Sequence, residues 1–339
     1  MIQTEIESVT PIFSEDGLPR NFGWARSPLF TYAPPPLIPA GLLSETNSYV
    51  IFSTTHLFVF ELINDGWMRS ILITALSIRE KRVFTKVINI SGSIFMLPPS
   101  CESGSIKVQE TDSAAHFIVM PKGSRIIKID VPRFDSENTL RGELVLTSHG
   151  NPQSLVTTLP WPKEKGRFQH IRCSPWYQVE GVMQFENKDV VFSRNMAWGI
   201  FLWRRILRPR QDIHFWAAGC GKSGDRQIGF SLGYGSVDAS RATENAFFAD
   251  GKLYKLEHIT FKISPASWTR PWVFTSNDNS LQMTFKPIET DVQRFASIFH
   301  SASIRRVYGV FSGKLALEGG RHIEFHNITG LAERRKTWK

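Results

Sequence analysis

The chain is poor in cysteine. Cys101, Cys173 and Cys220 are its 3 among 339 residues. They are odd in number, widely spaced and without a CxxC pair, which excludes a disulfide framework and a cysteine zinc site; three free thiols are expected. Long apolar runs are missing as well. Even residues 51–63 are interrupted by Ser53, His56 and Glu61, so no segment reaches the roughly 18 apolar residues of a membrane-spanning helix. The first ten residues carry Glu5 and Glu7 and lack the basic-then-apolar order of a secretory signal, so the expected compartment is the cytoplasm. No low-complexity tract or short repeat occurs. Hydrophobic residues at 42% and charged residues at 21% exclude wholesale disorder.

Acidic residues are the minority: 31 Asp plus Glu against 40 Lys plus Arg give a formal net charge of +9, a general attraction for anionic partners. The basic residues are mostly dispersed, with local groups at Arg204-Arg205, Arg208 and Arg210, Arg305-Arg306 and Arg334-Arg335-Lys336. A solvated surface is the plain reading. No nucleic-acid motif accompanies them, which disfavours nucleic acid as a partner and leaves contact with an anionic membrane surface around Arg204 to Arg210 as a rival expectation.

Sequence motifs for common chemistries are also lacking. Gly221-Lys222-Ser223 resembles the end of a phosphate loop, but Trp216 stands where its first glycine belongs and strand-like sequence follows. A turn at Gly219–Asp225 is expected instead. His322, Glu324 and His326 alternate, so a strand would place them on one face like a zinc-ligand row; Ile323 and Phe325 on the other face make an ordinary half-buried strand the simpler account. Asn89-Ile90-Ser91 and Asn327-Ile328-Thr329 match a glycosylation pattern without a route into the secretory pathway. No nucleophile elbow occurs. No metal or cofactor is implied.

What the chain has in abundance is short alternating segments between turn residues. Ser105–Gln109, Arg125–Ile129 and Gly142–Leu146 alternate with period 2 and predict antiparallel strands. Asp250-Gly251 between Phe247-Phe248 and Leu253-Tyr254 predicts a tight hairpin, and Gly319-Gly320 and Asn64-Asp65-Gly66 predict two more. Helical spacing is confined to Met196, Ile200, Trp203 and Leu207 and to Val292, Phe295, Ile298 and Phe299. A chain of this length points to two units. The expectation is an all-β protein of two antiparallel β-barrel or strongly curved sheet domains with few short helices. Pro152, Pro160, Pro162 and the charged run 163–165 mark a connection, dividing 1–165, an N-terminal barrel with a strap at Pro34-Pro35-Pro36, from 166–339, a C-terminal barrel.

The segment from Trp198 to Glu257 combines aromatic and sparse polar residues. Trp198, Trp203, Trp216, Tyr234, Asp238, Glu244 and Asn245 are the candidate lining of a site for a small, largely apolar molecule. A buried Asp238 or Glu244 there would be a candidate acid. The structural alternative assigns Asp238 and Asn245 to turns, Glu244 and Glu257 to ion pairs, and the tryptophans to a core.

Three blocks together resemble the domain-of-unknown-function family 2804: Asn21–Leu29; Leu232–Gly235 with Ala242–Asn245 and Asp250–Leu256; and Tyr308–Gly313 with Gly330–Glu333 and Trp338. The resemblance spans nearly the whole chain. It implies a lipocalin-like, duplicated β-barrel akin in fold to carotenoid hydratases and tocopherol cyclases, and no established activity. In that family an acidic residue usually precedes the tryptophan matching Trp198 and an arginine follows the glycine matching Gly199; here those places hold Ala197 and Ile200. The leading functional expectation is binding of a small, lipid- or isoprenoid-like molecule. The alternative is a hydratase or cyclase in which Asp238 or Glu244 protonates an alkene.

Overall fold

The computed structural model describes all residues except 1–2, 37, 39–41, 67, 92–96, 163, 297–300 and 339. Among the described residues the strands pair antiparallel, apart from the short parallel pair Thr10–Pro11 with Phe30–Thr31, and helical geometry is confined to single 3-10 turns such as Pro121–Gly123 and Glu318–Gly320. No helix among the described residues is long and apolar enough to cross a membrane.

The chain divides into two compact units. One comprises Met1–Thr31, Gln153–Pro175 and Ile206–Lys339; the other comprises Tyr32–Pro152 and Trp176–Arg205. Both are discontinuous, which differs from the single cut at residue 165 expected from the proline-rich stretch. That stretch is not a bare connection, because Leu155–Pro160 pairs with Phe168–Cys173 on one side and with Gly23–Ala25 on the other. Pro160 is tolerated as the last residue of its strand.

In the unit containing Tyr32–Pro152, the strands follow the order Arg82–Asn89, Arg69–Ser77, His56–Asn64, Leu43–Phe52, 198–205 of Trp198–Leu207, 176–185 of Phe168–Phe185, Leu140–Thr147, Arg125–Val131, Ser113–Val119 and Gly104–Glu110. Gly104–Glu110, Arg125–Val131 and Leu140–Thr147 carry the alternation read from sequence. His56–Asn64 and Arg69–Ser77 are instead buried at nearly every position. The Asn64-Asp65-Gly66 hairpin forms, with Asn64 opposite Arg69. The helical spacing at Met196 to Leu207 has a different origin: Trp198–Leu207 is a strand buried at all ten positions, Arg204 and Arg205 included, and a strand buried on both faces shows no period-2 alternation. Tyr49, Phe58, Phe60, Phe117, Phe185 and Phe201 belong to the core.

The other unit holds a curled sheet in the order Lys252–Lys255, Ala246–Ala249, Arg226–Tyr234, Gln211–Ser223, His322–Trp338, Ser301–Ala316, Leu281–Ala296, Trp272–Ser276 and Ile259–Lys262. Val292 and Phe295, read as helical, lie in the strand Leu281–Ala296; Ile298 and Phe299 lie outside the described residues. The Asp250-Gly251 hairpin forms as expected: Ala249 opposes Lys252, and both turn residues have positive φ, 50° and 82°. Phe230, Trp272, Phe274, Phe285 and Phe311 fill the concave side, with Phe285 stacked on Phe311 at 4.2 Å. His322, Glu324 and His326 stand exposed beside buried Ile323 and Phe325, the half-buried strand expected there.

Candidate functional site

Both sheets carry a core of packed, largely aromatic side chains. Open space lies at one end of the nine-stranded sheet. There a cavity of about 670 Å³ is bounded by the end of Arg226–Tyr234, the loop that follows it, and the start of Ile259–Lys262. Of the sequence candidates, Tyr234, Asp238, Glu244 and Asn245 line it. Leu159, Thr243, His258 and Phe261 contribute further wall.

The aromatic side of the wall is a continuous stack. Tyr234 lies parallel to Phe215 at 4.8 Å and edge-on to Phe261 at 5.0 Å, and Phe261 meets Phe274 at 4.6 Å. Tyr234 keeps 40% of its surface exposed, so part of the stack remains open to a ligand.

The polar side is Glu244. Its Oε1 is 2.7 Å from His214 Nε2, and its Oε2 accepts a hydrogen bond from Gln169 Nε2 at 3.2 Å; all three residues are buried. A buried carboxylate stays only where donors satisfy it, and here two do. Gly233 makes the room: a Cβ there would sit 2.7 Å from Glu244 Cδ. His214 comes from Gln211–Ser223, on the same face as Asp212 and Trp216. Burial pushes the Asp212 carboxyl above its usual range, against the pull of His214 and Arg208, and its Oδ1 has no hydrogen-bond partner among the described residues.

The loop carrying Glu244 is clamped rather than free. Asn245 Oδ1 accepts from Gly233 N at 2.7 Å, and its Nδ2 donates to Glu257 O at 2.9 Å. Lys255 Nζ donates to Thr243 Oγ1, Asn245 O and Leu256 O at 2.6, 2.9 and 3.1 Å, while desolvation pulls its pKa well below the usual lysine value. Its ammonium faces the Trp24 ring at 5.6 Å, and Arg26 faces the same ring at 4.9 Å while donating to Leu253 O. Residues of the first two sequence blocks, from Trp24 to Lys255, thus meet around one loop.

Other candidates fall elsewhere. Asp238 lines the cavity, but its carboxylate accepts from Ser240 N at 2.9 Å, a turn-fixing role. Trp216 is buried with its indole N–H on Ser231 Oγ at 3.0 Å and does not line the cavity. Trp198 and Trp203 belong to the other unit and are buried there, Trp203 against the Arg205 guanidinium at 4.2 Å and edge-on to Tyr32. Glu257 accepts a hydrogen bond from Asn277 Nδ2 at 2.7 Å. Arg204, Arg205 and Arg208 are buried and only Arg210 is exposed, so the stretch expected as a basic surface is not one. His214, Gln169 and Phe261 escaped the sequence reading. The signal for His214 was present, since Asp212, His214 and Trp216 share a face of one strand and two of them are polar.

The sequence matches the family described as Domain of unknown function (DUF2804) over residues 3–338. No curated protein matches it. Among solved structures, CghA crystallised with Sch210972 is 11% identical with a TM-score of 0.55, covering 88% of this chain and 89% of that one. CghA alone gives 12% and 0.56, with 87% and 88% covered. Kievitone hydratase from Nectria haematococca is 10% identical with a TM-score of 0.43, covering 87% and 88%. At such identities the likeness to CghA is one of fold.

Proposed function

The chain belongs to the DUF2804 family, and we propose that it binds a small, largely apolar molecule in the cavity between Tyr234, Phe261 and Glu244. The observation that carries this reading is the pairing, in one cavity of about 670 Å³, of a partly open aromatic stack with a single buried carboxylate–imidazole couple. An apolar body would lie against the rings and one polar group would be read by Glu244, the usual division of labour in a small-molecule site. CghA, of the same fold, was crystallised with Sch210972. Native mass spectrometry of the protein purified from its own host tests the proposal: a stoichiometric adduct, extractable as an apolar compound and lost on Gly233→Ala, is expected. Uniformly clean protein whose Tyr234 environment responds to no lipidic compound in a fluorescence titration would overturn it.

A second reading, acid–base catalysis on an alkene, is favoured by one observation, the 2.7 Å His214–Glu244 contact. The couple would give a proton to one alkene carbon, water or an internal nucleophile would capture the cation, and the proton released by that nucleophile would return to the couple. With Asp238 engaged in its turn, the role falls to Glu244. Once a bound compound is identified, turnover that survives Glu244→Gln removes this reading and leaves binding alone.

A further inference from the structure

At the end of the nine-stranded sheet where Tyr234 lies, charge is sorted by face. Residues directly opposite on neighbouring strands share a face, as do alternate residues along one strand. Val307, Ala332 and Ala217 lie side by side in the core on the concave face. The next row out on that face is Val292, Arg305, Arg334, Phe215 and Tyr234. Beyond it stand Arg294, Ser303, Lys336 and Ile213. Arg294, Arg305, Arg334 and Lys336 therefore share the concave face. The described acids of these strand segments, Asp212, Glu289, Asp291 and Glu333, fall on the other face, where Glu333 pairs with Arg306 and Arg335.

The concave cations are left without such partners. Arg305 and Arg334 sit directly opposite each other, an arrangement in which like charges repel. Both guanidiniums lie against Trp268, 5.1 and 4.8 Å from its ring, which orients them without balancing their charge. Burial and the nearby Arg305 pull Arg334 below its ordinary pKa. Arg305 Nε is buried with no hydrogen-bond partner among the described residues, and no described carboxylate stands within ion-pair distance of Arg305, Arg334 or Lys336. The face is nevertheless accessible: Arg294 is exposed, Ser303, Arg305, Arg334 and Lys336 are part-exposed, and Ile213 beside them is 43% exposed.

We propose that Arg305, Arg334 and Lys336 form an anion site that takes the phosphoryl group of a small phosphorylated molecule. One guanidinium fork satisfies a carboxylate; two forks and an ammonium, with the Ser303 hydroxyl in the row between Arg294 and Lys336, match a tetrahedral oxoanion of more than one charge. A small anion reaches a donor as deep as Arg305 on a concave face, where a flat lipid surface does not. None of these residues lines the cavity at Glu244, so the site stands whether or not that cavity is filled.

The test is isothermal titration calorimetry of the full chain with sodium pyrophosphate and with inorganic phosphate, at an ionic strength held constant with sodium chloride. One saturable site is expected, at least about tenfold tighter for pyrophosphate, and weakened at least about tenfold by Arg334→Met and by Lys336→Gln. Arg334→Met removes a like-charge contact and should fold as well as the unaltered protein without anion. If it does not fold, the part-exposed Lys336→Gln carries the decision. Absence of saturation by either anion, an equal response to chloride, or undiminished binding in the folded variants would each overturn the proposal. No sedimentation with vesicles of phosphatidylcholine and phosphatidic acid is expected; sedimentation lost in Arg334→Met would assign the phosphoryl group to a lipid headgroup and overturn the small-molecule site.

Discussion

Glu244 and His214 meet through a 2.7 Å contact between Oε1 and Nε2 although 30 residues separate them in sequence. The contact links the clamped loop at the cavity to the neighbouring strand, and Gln169 closes the other carboxylate oxygen. Removing the carboxylate leaves a buried imidazole and a buried amide facing nothing. Glu244→Ala is therefore expected to destabilise the protein by about 3 kcal/mol, and Glu244→Gln, which keeps a carbonyl acceptor, by about 1 kcal/mol. Urea unfolding at neutral pH measures both; equal costs for the two variants would show that the contact contributes through the charge of the carboxylate alone, with nothing from side-chain volume or a neutral acceptor.

Asp212 gives the opposite sign. Burial raises its carboxyl above the ordinary value of 3.8, so in the folded state it holds its proton to higher pH than in the unfolded chain. Between those two values the folded state binds the extra proton, and stability falls as pH rises. Above the raised value the penalty is constant; below the unfolded value it vanishes. Asp212→Asn should consequently be more stable than the unaltered protein at pH 7, with the advantage shrinking as the pH is lowered toward 3.8. Denaturation curves across that range check it, and an advantage independent of pH would show that ionisation of Asp212 is not its source.

Local signals account for much of the architecture. Period-2 alternation marks Arg125–Val131, and two positive-φ residues fix the Asp250-Gly251 turn, both properties of a few neighbouring residues. The division into units is not local. Leu155–Pro160 looks like a linker because its prolines disfavour a central strand, yet it finds a place between Gly23–Ala25 and Phe168–Cys173. For the site, Tyr234, Glu244 and Asn245 were legible as polar or aromatic residues in an apolar setting. Trp198 and Trp203 have the same appearance but belong to the other unit and do not line this cavity, because residues near in sequence can belong to different units. His214 required knowing that its strand runs beside Arg226–Tyr234.

The thiols offer a check on packing. Cys101, Cys173 and Cys220 are all free and buried, and burial drives Cys220 well above its ordinary value. Because the thiolate is the reactive form, native protein should react with a disulfide reagent at least about a hundredfold more slowly than unfolded protein. Absorbance at the released chromophore should count three thiols only after denaturant is added. A rapid equivalent from native protein would place one of the three at an accessible surface.

Gly233 separates the site from the scaffold most cleanly. Its backbone N–H is held by Asn245 Oδ1, and its missing side chain leaves the space that Glu244 Cδ and Cγ occupy; an added Cβ would stand 2.7 and 2.9 Å from them. The obstructing atoms belong to a side chain rather than to backbone, so the fold can yield by moving Glu244. Glu244 cannot move without releasing His214 or Gln169. Gly233→Ala is thus expected to stay folded, to lose about 1–3 kcal/mol of stability, and to lose any adduct of the cavity by at least tenfold in affinity. Tyr234→Ala at the opposite wall should weaken the same adduct by a similar factor while leaving stability within about 1 kcal/mol, since that ring is already 40% exposed. If both variants bind as the unaltered protein does, the ligand does not lie between Tyr234 and Glu244.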